Sequence, residues 1–493
     1  MSLMLAIDQS TSATKAMLID TSGQIIDKSS RHHQQIYPQP GWVEHDPREI
    51  GENLTALFAE LAERNRGFLD RIAGVSIANQ RETFVVFDPR TGAPLHNAIV
   101  WQCRRGDALC RQLTSAGHDQ VVRAKTGLKL DTYFPASKIA WLMQSQPHLA
   151  DMLRSGEAVV GTIDTWLIHR LTAASAFVTD HTNASRTLLY DAHRLAWDAE
   201  LCAVFGVPRE ALPEIRESGA IVGETDLGGV LPHTVPICGV MGDSQASLFA
   251  QGCHEAGTGK ATFGTGTSVL LNIGHQACEP PRGCVLALAW VIDAVPTYAL
   301  EGIINYSAAT IAWLKDQLGL IDDVSQCEAL ANQVPDNGGV YLVPAFAGLS
   351  APHWNHDARA AIVGMSGHTT KAHVVRAALE SIAYQIQDVL QILHGEGRPA
   401  PQRLSADGGP TGNQFLMQFT ADITQTQWHV SQVSEASAQG AALAGMLGLG
   451  LLESVNQVAD LPRTGARYSP RMSAEEAARL HGEWLRAVQR VLL

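Results

Sequence analysis

Three kinds of residue in this sequence could do chemistry together: a carboxylate at the end of an apolar run, turns rich in hydroxyls and glycine, and an arginine next to a glutamate. The stretch GVMGDSQASLFAQGCHEAGTGKATFGTGTS, residues 239–268, holds the first two. Asp243 sits where the run Val235–Val240 meets a small-residue helix start, the strand end at which α/β sheets present functional residues. A carboxylate there can take a proton from a substrate hydroxyl. The turn Gly264-Thr265-Gly266-Thr267 follows it, and its N–H and hydroxyl donors suit the phosphates of a nucleotide.

Two more turns have the same character. Asp8 to Thr14, reading DQSTSAT, joins the apolar runs Leu3–Ile7 and Ala16–Ile19; it reads as a cradle for anionic oxygens or as a plain surface hairpin. Asp407-Gly408-Gly409 and Gly412 end a strand and open a helix, which fits a phosphate contact at a helix N-terminus or a helix-entry turn that needs small residues. Arg81 and Glu82 interrupt the β-prone runs Ile72–Ala78 and Phe84–Phe87. Arg donating and Glu accepting could orient substrate hydroxyls; the alternative is an exposed ion pair worth little. Trp101 ends a third run and either walls a pocket or caps the core.

The elements that must position these residues alternate between strand and helix. Asp46-Pro47-Arg48-Glu49 is a helix start with an N-cap, a first-turn proline and a capping-box glutamate, and Ile50, Leu54, Leu57, Phe58 and Leu61 follow the helical period. Val375, Leu379, Ile382, Ile386, Val389 and Leu393 give a long helix over 373–394 one buried stripe. Ser473 and Glu476 form the capping box of a last helix. IDQSTSATKAML and FGTGTSVLL are faintly alike, which predicts a strand-turn-strand unit in each half of the chain and a cleft between the halves.

Length and composition narrow the function. A chain of 493 residues with 45% apolar content predicts two domains with ample core. A net charge of -13 and the lack of a Lys/Arg run exclude nucleic acid as the main partner, so the ligands are small. Eight cysteines without a C-x-x-C pair read as reduced thiols; with no apolar run of membrane-span length and no signal-peptide layout, a cytoplasmic protein is expected. Gly257-Thr258-Gly259-Lys260 is followed by Ala261, not the Ser/Thr of a Walker A motif. No G-x-G-x-x-G opens a helix after the first strand, and protein-kinase signatures are absent. Distributed turns plus one well-placed carboxylate suit a bilobal enzyme that closes on ATP and a substrate.

Long segments of the chain carry a family resemblance: AIDQSTSATK, GWVEHDP, NQRETFVVFDPRTGAPLHNAIVWQCRR, DTYFPASK, GTIDTWLIHRLT, VTDHTNASRTLLYD, GDSQASLFAQ, FGTGTSVLLNIG, YALEG, PAFAGLSAPHW and DGGPTGNQFLMQF. With these the sequence resembles the FGGY carbohydrate kinases, and among them the glycerol kinases, over nearly its whole length. The resemblance implies an α/β fold of two ribonuclease-H-like, actin/hexokinase-type domains with mixed central sheets around a cleft. The expected division is residues 1–245 for substrate, metal and base, and 246–493 for the nucleotide. It implies transfer of the γ-phosphoryl of Mg²⁺-bound ATP to a hydroxyl of a small polyol, glycerol first. By position, Arg81, Glu82, Trp101, Tyr133, Asp243 and Ser244 would contact the substrate, with Asp243 the general base. Asp8 and Asp243 would lie at the metal. Thr11, Ser12, Lys15, Thr265, Gly409 and Asn413 would line the nucleotide site, with Lys15 standing where the family usually has arginine. A homodimer is left open.

Departures from the glycerol kinase pattern qualify these expectations. The chain reads Gly242-Asp243-Ser244-Gln245 where those enzymes read GDQQ, and Ser268 where they carry an aromatic residue. Both changes remove volume and add polarity, which favours a larger polyol or ketose such as erythritol, erythrulose or xylulose as the alternative substrate. Ala308 and Ala312 replace the usual Gly and Gln near the adenine, and the segment Asp226–Thr234 lacks the basic residue of the fructose-1,6-bisphosphate loop, so that regulation is not carried over. A regulatory, non-catalytic ATP-binding protein of the same fold is the alternative class. The presence of Asp8, Asp243 and the Arg81-Glu82 pair speaks against it.

Overall fold

Two mixed sheets with a like central arrangement of strands organise the chain, seen in a computed structural model that describes residues 2–349, 351–355, 357–394, 401, 403–431, 435–461 and 465–492. The first sheet contains β1 (Leu3–Gln9), β2 (Ala13–Asp20), β3 (Ile25–His32), β4 (Ile72–Asn79), β5 (Ile221–Thr225) and β6 (Val235–Gly242) in the order β5-β6-β4-β1-β2-β3. The second contains β7 (Thr258–Phe263), β8 (Thr267–Gly274), β9 (Val285–Ile292), β10 (Val295–Ile304), β11 (Arg403–Asp407), β12 (Gln427–Val430) and β13 (Arg467–Tyr468) in the order β9-β10-β8-β7-β11-β12-β13.

The first sheet has an antiparallel meander, β1-β2-β3, and the second an antiparallel set β7-β8-β10-β9 in which β10, not β9, lies next to β8; in each, two later strands run parallel to the first member. β1 pairs antiparallel with β2 and parallel with β4, and β4 runs parallel to β6. β7 pairs antiparallel with β8 and parallel with β11, and β11 runs parallel to β12. The faint sequence repeat is thus the pair of hairpins β1–β2 and β7–β8, at matching places in two like sheets. The parallel strands of the first sheet are covered on both faces, as their near-continuous apolar runs require; all seven residues of β1 and seven of eight in each of β4 and β6 are buried.

The helices follow their sequence signals. α1 (Pro47–Arg64) starts at Asp46, whose carboxylate accepts from the Arg48 N–H, and buries Ile50, Leu54, Leu57, Phe58 and Leu61. α2 (Asp243–Ala250) begins with the candidate base itself. α3 (Lys371–His394) is the long striped helix, and α5 (Ala474–Leu492) is opened by Ser473, whose Oγ accepts from the Glu476 N–H at 3.2 Å. Between α3 and α5 lies α4 (Ala436–Gly448), which packs on α2 and on strands β1, β4 and β6 of the first sheet although it belongs to the second half of the chain. α2 and α4 share a core with Met4, Ala6, Cys238 and Met241 on one side and Leu270, Ala287 and Ala299 on the other, so the two sheets sandwich this helix pair.

A smaller four-stranded sheet, Glu44–His45, Ala98–Ile99, Phe84–Phe87 and Val159–Thr162, stands beside the first sheet and carries the Trp101 region. Trp101 lies in the turn two residues beyond the short strand Ala98–Ile99.

Candidate active site

Three parallel neighbours end at one level: Gln9 of β1 pairs with Asn79 of β4, and Asn79 with Gly242 of β6. Asp8, the Arg81-Glu82 pair and Asp243 are therefore brought together at the C-terminal edge of the first sheet, the usual place for ligands in open α/β sheets. Asp8 and Lys15 are cross-strand partners on β1 and β2, with Lys15 Nζ 3.3 Å from Asp8 Oδ2 and 2.7 Å from Glu435 Oε2 at the start of α4. Burial pushes the Asp8 carboxyl up to about 6; Lys15 opposes this, and Asp243 and Glu435 add to it. Asp8 is thus a buried carboxylate surrounded by more negative than positive charge, which calls for a cation.

Arg81 and Glu82 are buried, not an exposed pair. Glu82 has φ +63°, a backbone region that a non-glycine residue adopts at a cost of order 1–3 kcal/mol and that concentrates at functional sites. The two side chains sit 3.8 Å apart, but each has a better partner. Arg81 donates its Nη2 to Glu301 Oε1 at 2.9 Å and its Nη1 to Glu301 Oε2 and to Gln245 Oε1 at 3.3 Å, while its Nε lies 3.4 Å from Asp243 Oδ1. Arg186 donates its Nε to Glu82 Oε1 at 2.6 Å and places Nη1 2.8 Å from Glu301 Oε2. Burial raises Glu82 above the usual carboxylate range against the pull of Arg81 and Arg186. In Glu301 burial acts the same way, but Arg186 and Arg81 outweigh it and hold the carboxyl well below that range. Glu301 has several donors on both oxygens and Glu82 one close donor, which accounts for the difference.

Trp101 and Tyr133 form one aromatic wall, with ring centroids 5.2 Å apart. Lys138 fixes it: its buried Nζ donates to the carbonyls of Val100 at 3.3 Å, Trp101 at 3.2 Å and Tyr133 at 3.3 Å. Burial lowers the Lys138 ammonium to about 8 and raises the Tyr133 phenol far above its ordinary value, so Tyr133 is a hydroxyl donor at neutral pH. Ser268 donates to Glu301 Oε1 at 3.0 Å.

A cavity of about 510 Å³ opens next to Asp243 and Ser244 and runs from Asp8 and Lys15 to Lys260 and Gly409. Gly408 at its rim has φ +99°, and a Cβ there would overlap the Phe263 carbonyl, so this turn requires glycine. Asp407 accepts from Ser247 Oγ at 2.8 Å and from Gln251 Nε2 through Oδ2, while its buried Oδ1 has no partner among the described residues.

Asp8, Lys15, Asp243, Ser244 and Gly409 thus share one cavity, with Arg81, Glu82, Trp101 and Tyr133 behind Asp243. Other expected nucleotide-site residues have different surroundings. Thr11 accepts from Trp101 Nε1 at 3.0 Å, which ties the first hairpin to the aromatic wall. Ser12 is exposed, with its carbonyl accepting from the His33 N–H. The Thr265 carbonyl accepts from Ser307 and Ala309 N–H, anchoring the turn to the helix Ala308–Asp316. Asn413 Oδ1 caps the helix Gln414–Thr424 by accepting from the Leu416 N–H at 2.9 Å. The sequence reading missed Glu301, Arg186, Lys138, Gln245 and Glu435. All but Glu435 lie inside quoted segments, YALEG, VTDHTNASRTLLYD, DTYFPASK and GDSQASLFAQ; for the first three a charged residue within an apolar or small-residue run was the available signal.

Sequence and structure comparisons agree on one lineage. The FGGY family of carbohydrate kinases matches with its N-terminal domain over residues 3–250 and its C-terminal domain over 259–449. Glycerol kinase 1 of Thermotoga maritima is 43% identical over 488 residues, covering 99% of each chain, and the glycerol kinase of Stenotrophomonas maltophilia strain R551-3 is 44% identical over 491 residues, covering 99% of this chain and 98% of that one. The crystal structure of Plasmodium falciparum glycerol kinase with ADP superposes with a TM-score of 0.95 at 36% identity, over 100% of this chain and 99% of that one. A ligand-bound xylulose kinase from Lactobacillus acidophilus reaches a TM-score of 0.90 at 21% identity over 100% of this chain and 99% of that one, a likeness of fold alone.

Proposed function

The chain belongs to the FGGY family of carbohydrate kinases and is an ATP-dependent kinase, and from that premise we propose that it phosphorylates glycerol to glycerol 3-phosphate with Asp243 as the base. The observation that carries the reading is the grouping of Asp243, Arg81 and Glu82 at one strand edge, with an aromatic wall on one side and the Asp8–Lys15 cavity on the other.

In the proposed reaction Trp101 and Tyr133 face the carbon backbone, while Arg81 donates to substrate hydroxyls and Glu82 accepts from them. Asp243 takes the proton of the reacting hydroxyl as its oxygen bonds to the γ-phosphorus. The bond from that phosphorus to the β–γ bridging oxygen breaks, and ADP leaves with the electron pair. Proton removal contributes about 10²- to 10⁴-fold. Positioning and charge neutralisation do the larger share in phosphoryl transfer.

The residues present fit Mg²⁺. Among the described residues no three His, Cys, Asp or Glu side chains are grouped to hold a metal by themselves, whereas Mg²⁺ is commonly bound by one or two carboxylates together with substrate phosphates. Asp8, raised by burial and in want of positive charge, and Asp243 would hold it. When bound it neutralises charge on the phosphates. Lys15, Thr11, Ser12, Thr265, Gly409 and Asn413 are proposed to line the nucleotide side. Residues 1–245 supply the substrate, metal and base groups in this reading, together with Thr11, Ser12 and Lys15 at the nucleotide, and 246–493 the remaining nucleotide groups. None of the eight cysteines is in a disulfide, and among the described residues no helix is long and apolar enough to cross a membrane; both support a cytoplasmic setting.

A second reading, a four- or five-carbon polyol or ketose, is favoured by two small polar residues near the base. Ser268 places its hydroxyl on Glu301, the partner of Arg81, and Ser244 follows Asp243 in the cavity lining. Measuring kcat/KM with ATP for glycerol, erythritol, erythrulose and xylulose decides between the readings. A preference for glycerol with one ADP formed per glycerol 3-phosphate supports the first. ATP consumption that ignores every polyol sinks both.

A further inference from the structure

Arg81, Arg186, Glu82 and Glu301 form a buried set of two positive and two negative charges. Their side chains are 5%, 0%, 2% and 0% exposed, so the set is neutral without Asp243. Glu301 carries most of its contacts: Oε1 accepts from Arg81 Nη2 and Ser268 Oγ, and Oε2 accepts from Arg81 Nη1 and faces Arg186 Nη1. The end of the Arg81 fork is thus committed to Glu301 in the two-pronged geometry that fixes a guanidinium best. Only the Nε edge of Arg81 is turned toward Glu82 and Asp243, at 3.8 and 3.4 Å.

The two residues come from different sheets. Arg81 follows β4 of the first, and Glu301 lies on β10 of the second, with Ser268 beside it on β8. We infer that Glu301 is a positioning residue that reaches across from the second sheet, holds the fork of Arg81, and so aims the Nε edge of Arg81 at Asp243 and at the substrate hydroxyls. This role rests on the polyol-kinase reading above. It makes the substrate grip complete only where the two sheets meet. Replacing Glu301 by Gln keeps the shape but leaves two buried guanidiniums with Glu82 as the remaining counter-charge in the set, an arrangement that buried ion pairs tolerate poorly. Arg81 then has no fixed fork partner and turns toward Asp243 and Glu82, the groups meant for substrate. The groups on the phosphate side are held separately, Lys15 by Asp8 and Glu435.

The test is a double-mutant cycle on the full chain with glycerol and Mg-ATP, with folding of each variant checked by circular dichroism. Glu301→Gln is expected to raise KM for glycerol roughly 30-fold or more, the lower end for truncation of one partner of a buried charge pair, with KM for ATP about unchanged. Because it acts through Arg81, adding Glu301→Gln to Arg81→Gln should cause little further loss, and Glu301→Asp should recover part of the activity. Should Glu301→Gln fail to fold, Ser268→Ala removes one donor to Glu301 and is expected to raise KM for glycerol a few-fold without affecting KM for ATP. Wild-type kinetics in Glu301→Gln, equal damage to both KM values, or losses that add in the double variant would overturn the inference. A wild-type enzyme that does not phosphorylate glycerol overturns the reading it rests on, and the two failures are told apart by the wild-type control.

Discussion

Arg81 Nε lies 3.4 Å from Asp243 Oδ1, so the proposed base and the cation that faces its substrate form one electrostatic unit. The guanidinium stays charged at every accessible pH, and the carboxylate always has a counter-charge. Asp243→Asn keeps the size of the side chain and removes the proton acceptor. We expect kcat to fall about 10²- to 10⁴-fold with the ATP dissociation constant little changed, measured by single-turnover kinetics and nucleotide titration. A variant with near wild-type kcat would remove Asp243 as the base.

Asp8 is held at about 6 by burial against the pull of Lys15, compared with 3.8 for an unperturbed side chain. Between those values the folded protein binds a proton that the unfolded chain has released. The stability contributed by this group therefore falls as pH rises from about 4 to about 6, and its cost is fully present above that window. Asp8→Asn removes the cost. At pH 7.5 the ligand-free variant should melt a few degrees higher than wild type, at about 2–4 °C per kcal/mol for domains of this size, yet lose the further rise that Mg-ATP gives wild type. Differential scanning calorimetry with and without Mg-ATP reads both effects, and a ligand-free variant that melts lower contradicts the account of Asp8.

Lys138 ties the two halves of the aromatic wall through three carbonyls. Lys138→Met matches its length without its donors: the Val100 carbonyl keeps the Cys103 N–H, but the Trp101 and Tyr133 carbonyls lose the Lys138 ammonium, at roughly 1–3 kcal/mol for each buried group left unpaired. The rings of Trp101 and Tyr133 then lose their common anchor. KM for the polyol should rise about tenfold, equivalent to ~1.4 kcal/mol, and the melting temperature should fall, with KM for ATP unaffected. Steady-state kinetics with each substrate varied in turn would expose a general structural effect, since both KM values would then move.

What the sequence made legible was local. Apolar runs marked β1, β2, β4 and β6, and the position of Asp243 after such a run was enough to place it at a strand end. The partners of Arg81 were out of reach. Glu301 bonds to Arg81, and Arg186 to Glu82, across loops and sheets, and no periodicity encodes a pairing between distant segments. The Arg81-Glu82 neighbours therefore looked like a pair with each other, whereas each is held by a third residue. Thr11 and Asn413 were legible as turn residues, but their partners, Trp101 and the Leu416 N–H, depend on tertiary contact and on helix entry. α4 was not read from the sequence at all, and its packing on the sheet of the other half is a tertiary contact that no local pattern states.

That helix offers a paired test of how the base is positioned. A Cβ on Gly440 of α4 would overlap the Ala246 carbonyl of α2, whereas a Cβ on Gly482 of α5 meets nothing within 4 Å. Both glycines lie within helices, where Ala is intrinsically favoured by about 1 kcal/mol. Gly482→Ala should therefore stabilise the protein. Gly440→Ala gains the same propensity but forces apart two helices in contact, an overpacking that costs about 1–3 kcal/mol, so its net effect should be neutral to destabilising. Because Asp243 is the first residue of α2 and its carbonyl accepts from Ser437 Oγ of α4 at 3.0 Å, the displacement reaches the base, and kcat should fall in Gly440→Ala but not in Gly482→Ala. Urea denaturation and kcat for the two variants side by side provide the comparison. If Gly440→Ala proves as stabilising and as active as Gly482→Ala, the close approach of α4 to α2 does not position Asp243.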